Sequence, residues 1–229
     1  MEELAGLAKI TWFGHASFKI EIGDKIVLID PWLDGNPASP IKASEIDRAD
    51  IVYVTHDHGD HLGDAVNICK RTNATFVSTF ELGNYASENG VKDIVGLNIG
   101  GCAEVKGVKI CMVQAFHTCA RGSPTGVVVE AEGKRVYHAG DTGLFGDMKL
   151  IGQLYKLDVA LLPIGGFYTM DALEAAEAVR LLKPKAVIPM HYKTFPVLAQ
   201  SAEDFVKKVK RKAAKVKVVV LNPGESYQF

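Results

Sequence analysis

The spacing of apolar and polar positions divides the chain into two β-rich runs, each followed by a stretch where helix and strand patterns alternate. In the first run, Lys9 to Phe13, Phe18 to Ile22 and Lys25 to Ile29 read as strands, and Gly23-Asp24 suits a two-residue hairpin turn between the last two. Ile51 to Val54 is short and wholly apolar, which predicts a buried strand. Leu62 to Arg71 then shifts to a helical pattern, Thr75 to Ser78 predicts another strand, and Glu81 to Glu88 predicts a helix stopped by Asn89-Gly90.

The second run comprises strands at Ile94 to Asn98, Ala103 to Val105, Val108 to Ala115, Gly126 to Ala131 and Lys134 to His138. Their turns fall at Gly100-Gly101, Lys106-Gly107 and Glu132-Gly133. Helices over Met148 to Tyr155, Asp171 to Leu182 and Ala202 to Ala214 alternate with apolar strands at Val159 to Leu162, Ala186 to Pro189 and Lys217 to Leu221. Asp171 with Glu174 predicts a capping box, and Pro184 ends that helix. Each sheet must cover its apolar faces, so the expectation is an α/β (α+β) fold with two sheets face to face and helices outside. No linker or repeat interrupts the pattern, which points to a single domain over residues 1–229.

Composition narrows the function classes. An apolar fraction of 48% in 229 residues is ample for a large core. A net charge of −1 argues against a general nucleic-acid or anionic-membrane partner. The local exception is Lys207-Lys208-Val209-Lys210-Arg211-Lys212, with Lys215 and Lys217 beyond it. Phe205, Val206 and Val209 make this a helix with a solvated basic face. The four cysteines, Cys69, Cys102, Cys111 and Cys119, lack C-x-x-C spacing and are expected as reduced thiols. Met1-Glu2-Glu3-Leu4 has no signal-peptide character, and no run of eighteen apolar residues exists. A cytoplasmic protein without a membrane span is the expectation.

Candidate chemistry concentrates in Thr55-His56-Asp57-His58-Gly59-Asp60-His61, where three histidines and two aspartates fall in six consecutive residues directly after a strand. Imidazole nitrogen and carboxylate oxygen are the donors that zinc and similar cations bind. Three more candidates follow later strands: His117, Asp141 within Ala139-Gly140-Asp141-Thr142-Gly143, and His191. Side chains placed beyond successive strand ends converge on one edge of a sheet sandwich. Two sites are then expected, His56, His58 and His117 around one metal and Asp60, His61 and His191 around another, with Asp141 bridging. The flanking glycines allow a tight turn at Asp141.

This set resembles the metallo-β-lactamase-fold superfamily over essentially the whole chain. Gly14-His15-Ala16-Ser17, Asp30-Pro31 and Pro189-Met190-His191-Tyr192 resemble more narrowly its metal-dependent hydrolase branch, with relatives such as ascorbate-6-phosphate lactonase and an N-acyl-phosphatidylethanolamine phospholipase D. The resemblance implies a four-layer αββα sandwich with a dinuclear site along one edge. Asp141 stands where the zinc β-lactamases carry cysteine, and His58 where the flavodiiron oxidoreductases carry an acidic ligand, so neither activity is expected. The 38 residues after His191 leave no room for the added domain of the RNA-cleaving members, and no insertion resembles the substrate arm of the tRNA-processing ones.

The expected activity is hydrolysis of a small-molecule ester, lactone or phosphoester. Two divalent cations, Zn²⁺ first and Mn²⁺, Fe²⁺ or Ni²⁺ also compatible, would share a bridging hydroxide as nucleophile. Asp60 binds metal and orients that nucleophile, so no serine-triad signature is required. The resemblance places His15 near the site, where it is weighed for a substrate or proton-transfer role. His138 is expected to support rather than ligate, and Tyr168 is a candidate substrate contact on the loop from Pro163 to Met170. Cys119, two residues past His117, is read as a buried thiol. The competing readings are a nucleic-acid-processing or nucleic-acid-binding protein of the same fold, resting on the basic run alone, and a non-catalytic metal scaffold. A homo-oligomer is compatible with the sequence.

Overall fold

A computed structural model describes residues 6–229, so the reading of Met1-Glu2-Glu3-Leu4 lies outside the described residues. In the first sheet, β1 (Ala8–Trp12), β2 (Phe18–Ile22) and β3 (Lys25–Ile29) are antiparallel, and β4 (Ile51–Tyr53), β5 (Thr75–Thr79) and β6 (Ile94–Leu97) extend it in parallel. The second sheet repeats the plan. Here β7 (Cys102–Val105), β8 (Val108–Gln114), β9 (Thr125–Ala131) and β10 (Lys134–His138) are antiparallel, and β11 (Val159–Pro163), β12 (Ala186–Met190) and β13 (Lys217–Val218) follow in parallel. The helices are α1 (Gly59–Leu62), α2 (Ala65–Thr72), α3 (Phe80–Glu88), α4 (Met148–Tyr155), α5 (Ala172–Leu182) and α6 (Glu203–Lys212). Parallel strands need crossovers, and these helices supply them everywhere but between β3 and β4, where a loop with a 3-10 turn at Ala43–Glu45 makes the connection.

The parity of side chains along the strands builds the layers. On β3 and β4, Val27, Ile29, Ile51 and Tyr53 join the larger core shared with the second sheet. Their neighbours Leu28 and Val52 join a separate core with Ile68 of α2 and Leu82 of α3. Alternate residues of one strand therefore bury against a sheet and against helices, as a strand with two covered faces requires. Full burial of each aliphatic side chain of this kind contributes about 1.5–3 kcal/mol. The expected αββα sandwich is what forms.

Several boundaries differ from expectation for local reasons. The helix expected over Leu62 to Arg71 is two pieces, α1 and α2, because the chain turns at Gly63 with φ 41°. A Cβ at Gly63 would lie 2.5 Å from the Trp32 Cα, so only glycine admits this close approach. The last strand expected at Lys217 to Leu221 shortens to β13, although Val219 N still donates to Val187 O at 2.9 Å. A further strand, β14 (Ser226–Gln228), pairs antiparallel with β1 and was not anticipated. The capping box of α5 forms as expected, with Asp171 accepting from Leu173 N and Glu174 N at 2.8 Å each.

The expectation of four reduced cysteines is corrected. Cys102 and Cys111 form a disulfide across the β7–β8 hairpin, where they are directly opposed, while Cys69 and Cys119 are free. The basic face of α6 is partly neutralised by its surroundings. Lys208 pairs with Asp204 at 3.2 Å, Lys212 pairs with Glu177 of α5 at 2.9 Å, and Phe205 and Val209 are buried. Among the described residues, no helix is long and apolar enough to cross a membrane.

Candidate metal centre

Each candidate donor sits just past the C-terminal end of a strand. His56 and His58 follow β4, with Asp60 and His61 in the first turn of α1; His117 follows β8, Asp141 follows β10, and His191 follows β12 directly. His15 occupies the turn between β1 and β2. Three of these neighbouring positions hold left-handed backbone that is uncommon outside glycine: His15 at φ 54°, Asp30 at 47° and His191 at 56°. Such conformations persist where surrounding contacts over-determine them, and here they cluster at one edge.

The donor atoms converge. One atom each from His56, His58 and His117 lies within 4.8 Å of the others; the same holds for His15, Asp60, His61 and His191, and for His56, His61 and Asp141. Asp141 Oδ2 lies 3.0 Å from His191 Nε2, 3.2 Å from His61 Nε2 and 3.7 Å from His117 Nε2. One carboxylate thus stands between the two histidine groups. All seven residues expected to face the metals are brought together, and His15 joins them.

A buried network aims these imidazoles. Asp30, fully buried, accepts from Thr55 N, from the Thr55 hydroxyl and from His61 Nδ1, each at 2.7 Å. With its proton given to Asp30, the Thr55 hydroxyl accepts from His56 Nδ1 at 3.0 Å. Both His56 and His61 therefore spend Nδ1–H on support and turn the Nε2 lone pair inward, which is how carboxylate-backed histidines are held for metal binding. His61 Nε2 and Asp141 Oδ1 are buried with no hydrogen-bond partner. A cation between them would satisfy the inward-facing donors, so the residues present fit a metal centre.

The electrostatics agree with that fit. Burial alone would strip the proton from His61, yet Asp141 and Asp30 on either side hold its pKa well above the ordinary value. Burial would likewise raise Asp141, but His191 and His61 keep it well below the carboxylate range. The site stabilises positive charge, and a metal would displace protons from it.

His15 is fully buried and, with burial drawing its pKa down to about 4, neutral near pH 7. In that state Nε2–H donates to Asp60 Oδ2 at 3.1 Å and Nδ1 accepts from the Thr194 hydroxyl at 2.9 Å. His138 supports from below, as expected: Nε2 donates to Ala16 O at 2.9 Å and Nδ1 accepts from Gly140 N at 3.0 Å. This holds the turn before Asp141, where a Cβ on Gly140 would collide with Thr125 O. The expectation of a buried thiol at Cys119 is corrected: it is half-buried on the loop after β8 and donates to Arg121 O at 3.3 Å. Above the donors lies a cavity of about 430 Å³, lined by His58, Asp60, His117, Thr118, Asp141, Tyr168, His191 and Phe195. Tyr168 is where its loop position suggested. Sequence reasoning missed Thr194 and Phe195, named Thr55 only as the first residue of the histidine segment, and quoted Asp30 only within the family resemblance.

A beta-lactamase superfamily domain model matches residues 9–191. A UPF0173 metal-dependent hydrolase from Methanopyrus kandleri is 52% identical, over 96% of this chain and 99% of that protein. The chain belongs to this metal-dependent hydrolase family. A UPF0173 relative from Archaeoglobus fulgidus is 49% identical over 96% of this chain and 99% of its own. Among solved structures, a metallo hydrolase from the hyperthermophilic archaeon Ignicoccus hospitalis superposes on this UPF0173 member with TM-score 0.92 at 43% identity, covering 97% and 98% of the two chains.

Proposed function

We propose that the chain is a dinuclear metal-dependent hydrolase acting on a small ester, lactone or phosphoester, with residues 1–229 folding as one domain. The observation that carries this reading is the convergence of buried, inward-facing donors on Asp141, with His61 Nε2 and Asp141 Oδ1 left without hydrogen-bond partners. His56, His58 and His117 would hold one cation, Asp60, His61 and His191 the other, and Asp141 would be shared. Imidazole and carboxylate donors suit Zn²⁺ first, with Mn²⁺, Fe²⁺ and Ni²⁺ also compatible. Bound divalent cations supply a water of lowered pKa and polarise the oxygen of the bond under attack.

The chain's own residues do the rest. Asp60, half-buried at the cavity wall, accepts a hydrogen bond from an attacking water and orients it. His15 fixes the Asp60 carboxylate through the 3.1 Å bond, and Thr194 fixes the His15 ring in turn. The cavity volume of ≈ 430 Å³ suits a small-molecule substrate.

Metal content per chain tests the reading, on wild type and Asp141→Ala prepared without chelators or a histidine tag. About two equivalents in the wild type, falling in the variant, are expected. One or none, unrestored by added Zn²⁺ or Mn²⁺, sinks the dinuclear assignment. Hydrolysis of lactone or aryl phosphodiester surviving exhaustive chelation would remove metal from the mechanism.

A further inference from the structure

The cavity wall beyond the donors has a one-sided chemistry. Among the described residues, its non-donor lining is Thr118, Tyr168 and Phe195, with no lysine or arginine. The two cations nearest in sequence are committed elsewhere. Arg121 pairs with Asp57 at 3.0 Å and lies 4.5 Å over the Tyr85 ring. Lys193, although two residues past His191, lines a different cavity with Tyr192, Val206 and Lys207.

The aromatic part of the wall is built rather than incidental. Phe195 stacks on Trp32 with ring centroids 6.1 Å apart, and both rings meet His15 edge-on, at 5.4 and 5.3 Å. Tyr168 is 52% exposed and packs edge-to-face on Phe167 at 4.8 Å. Metals at the donors would draw a developing negative charge at the scissile bond. An anionic group elsewhere on the substrate would meet aromatic faces, whose quadrupoles are negative, and no compensating side chain.

We propose that this cavity takes an uncharged ester or lactone whose apolar or aromatic group lies against Tyr168 and Phe195, and that it discriminates against substrates bearing an anionic group remote from the scissile bond. The proposal rests on the hydrolase reading and selects within it, against sugar-phosphate lactones and other substrates that carry a phosphate or carboxylate away from the bond cleaved. The reaction balances as ordinary hydrolysis. The water oxygen bonds to the acyl carbon, the acyl C–O bond breaks, one water proton goes to the departing alkoxide, and the other is released as the acid ionises.

Binding and turnover separate this proposal from the reading beneath it. Trp32, one of two tryptophans in the chain, touches Phe195, whereas Trp12 is 2% exposed, so intrinsic fluorescence reports occupancy near Phe195. The metal-loaded chain is titrated with N-benzylacetamide and with its para-carboxylate derivative, both resistant to cleavage. The neutral probe should bind at least about tenfold tighter, and Tyr168→Arg should narrow or reverse that ratio. Equal or tighter binding of the anionic probe to the wild type overturns the proposal. Benzyl acetate and its para-carboxylate derivative give the matching turnover ratio. Equal turnover of both sinks the proposal and leaves the hydrolase standing; discrimination in binding with neither ester cleaved supports the cavity assignment and counts against the hydrolase.

Discussion

The two halves of the donor cluster are held by different kinds of structure. In the deep half, His61 and His15 are fully buried and His191 is 1% exposed, with Asp30, Thr55 and Thr194 hydrogen-bonded behind them. In the open half, His58 is half-buried and the His117 side chain is 12% exposed, on the loop 115–124 that leaves the sheet after β8. That loop is tied back through Asp57, which accepts from Ala120 N at 2.9 Å and pairs with Arg121 at 3.0 Å. His56 links the halves, because its support runs through Thr55 to Asp30. A buried carboxylate sets one half before any ion arrives; a partly exposed ion pair sets the other.

Removing the deep brace should therefore have the largest effect. Asp30→Ala leaves the buried Thr55 N–H, the Thr55 hydroxyl and His61 Nδ1 without their acceptor. Breaking a buried, hydrogen-bonded charge cluster by deleting one partner costs about 3–5 kcal/mol. Loss of the histidine's backing carboxylate should also weaken metal binding about 10–100-fold. Chemical denaturation in the presence of chelator isolates the first effect, and metal titration of the folded variant gives the second. Unchanged metal-free stability would show that Asp30 does not brace the deep half.

A donor deleted from the open half should act on metal alone. His117→Ala is expected to remove one of the two proposed equivalents and to change metal-free stability by under about 1 kcal/mol, since the ring ends a loop rather than filling a core. The comparison is with His191→Ala at the deep end, where the lost ring also packs at a tilt against His15, centroids 3.9 Å apart, and should cost stability even without metal. Equal stability losses in the two variants would erase the distinction between the halves.

The sequence disclosed the donors more readily than their supports. His56, His58, Asp60 and His61 are legible because a strand end and a short helix compress them into one segment, and His117, Asp141 and His191 because each follows an apolar strand. Asp30 sits 25 residues before Thr55, and its role arises only when β3 and β4 align in parallel, a pairing that periodicity does not disclose. Thr194 and Phe195 reach the site through the loop after β12, with no local pattern to mark them. The disulfide was within reach: with Lys106-Gly107 as a two-residue turn, the register that opposes Val105 to Val108 also opposes Cys102 to Cys111. Reading compartment before pairing hid it.

The smallest expected effect concerns how firmly the open half is tied. The Arg121 side chain is 48% exposed but the Asp57 side chain only 2%, so water screens one end of the pair and it should contribute about 1 kcal/mol. Arg121→Ala keeps the bond from Ala120 N to Asp57, so the loop should loosen without detaching. Affinity for the metal bound by His56, His58 and His117 should fall by about threefold, with the deep equivalent unchanged, because half a kcal/mol or so corresponds to that factor. High salt screens the exposed guanidinium end, so metal titrations near 1 M monovalent salt, where the Debye length is about 3 Å, should bring wild type and variant closer. Asp57→Ala, which frees both Arg121 and Ala120 N, should weaken the open half further than Arg121→Ala does. If Arg121→Ala instead empties that position as completely as His117→Ala, the loop is not graded in its anchoring, and the open half depends on one surface ion pair as sharply as the deep half depends on Asp30.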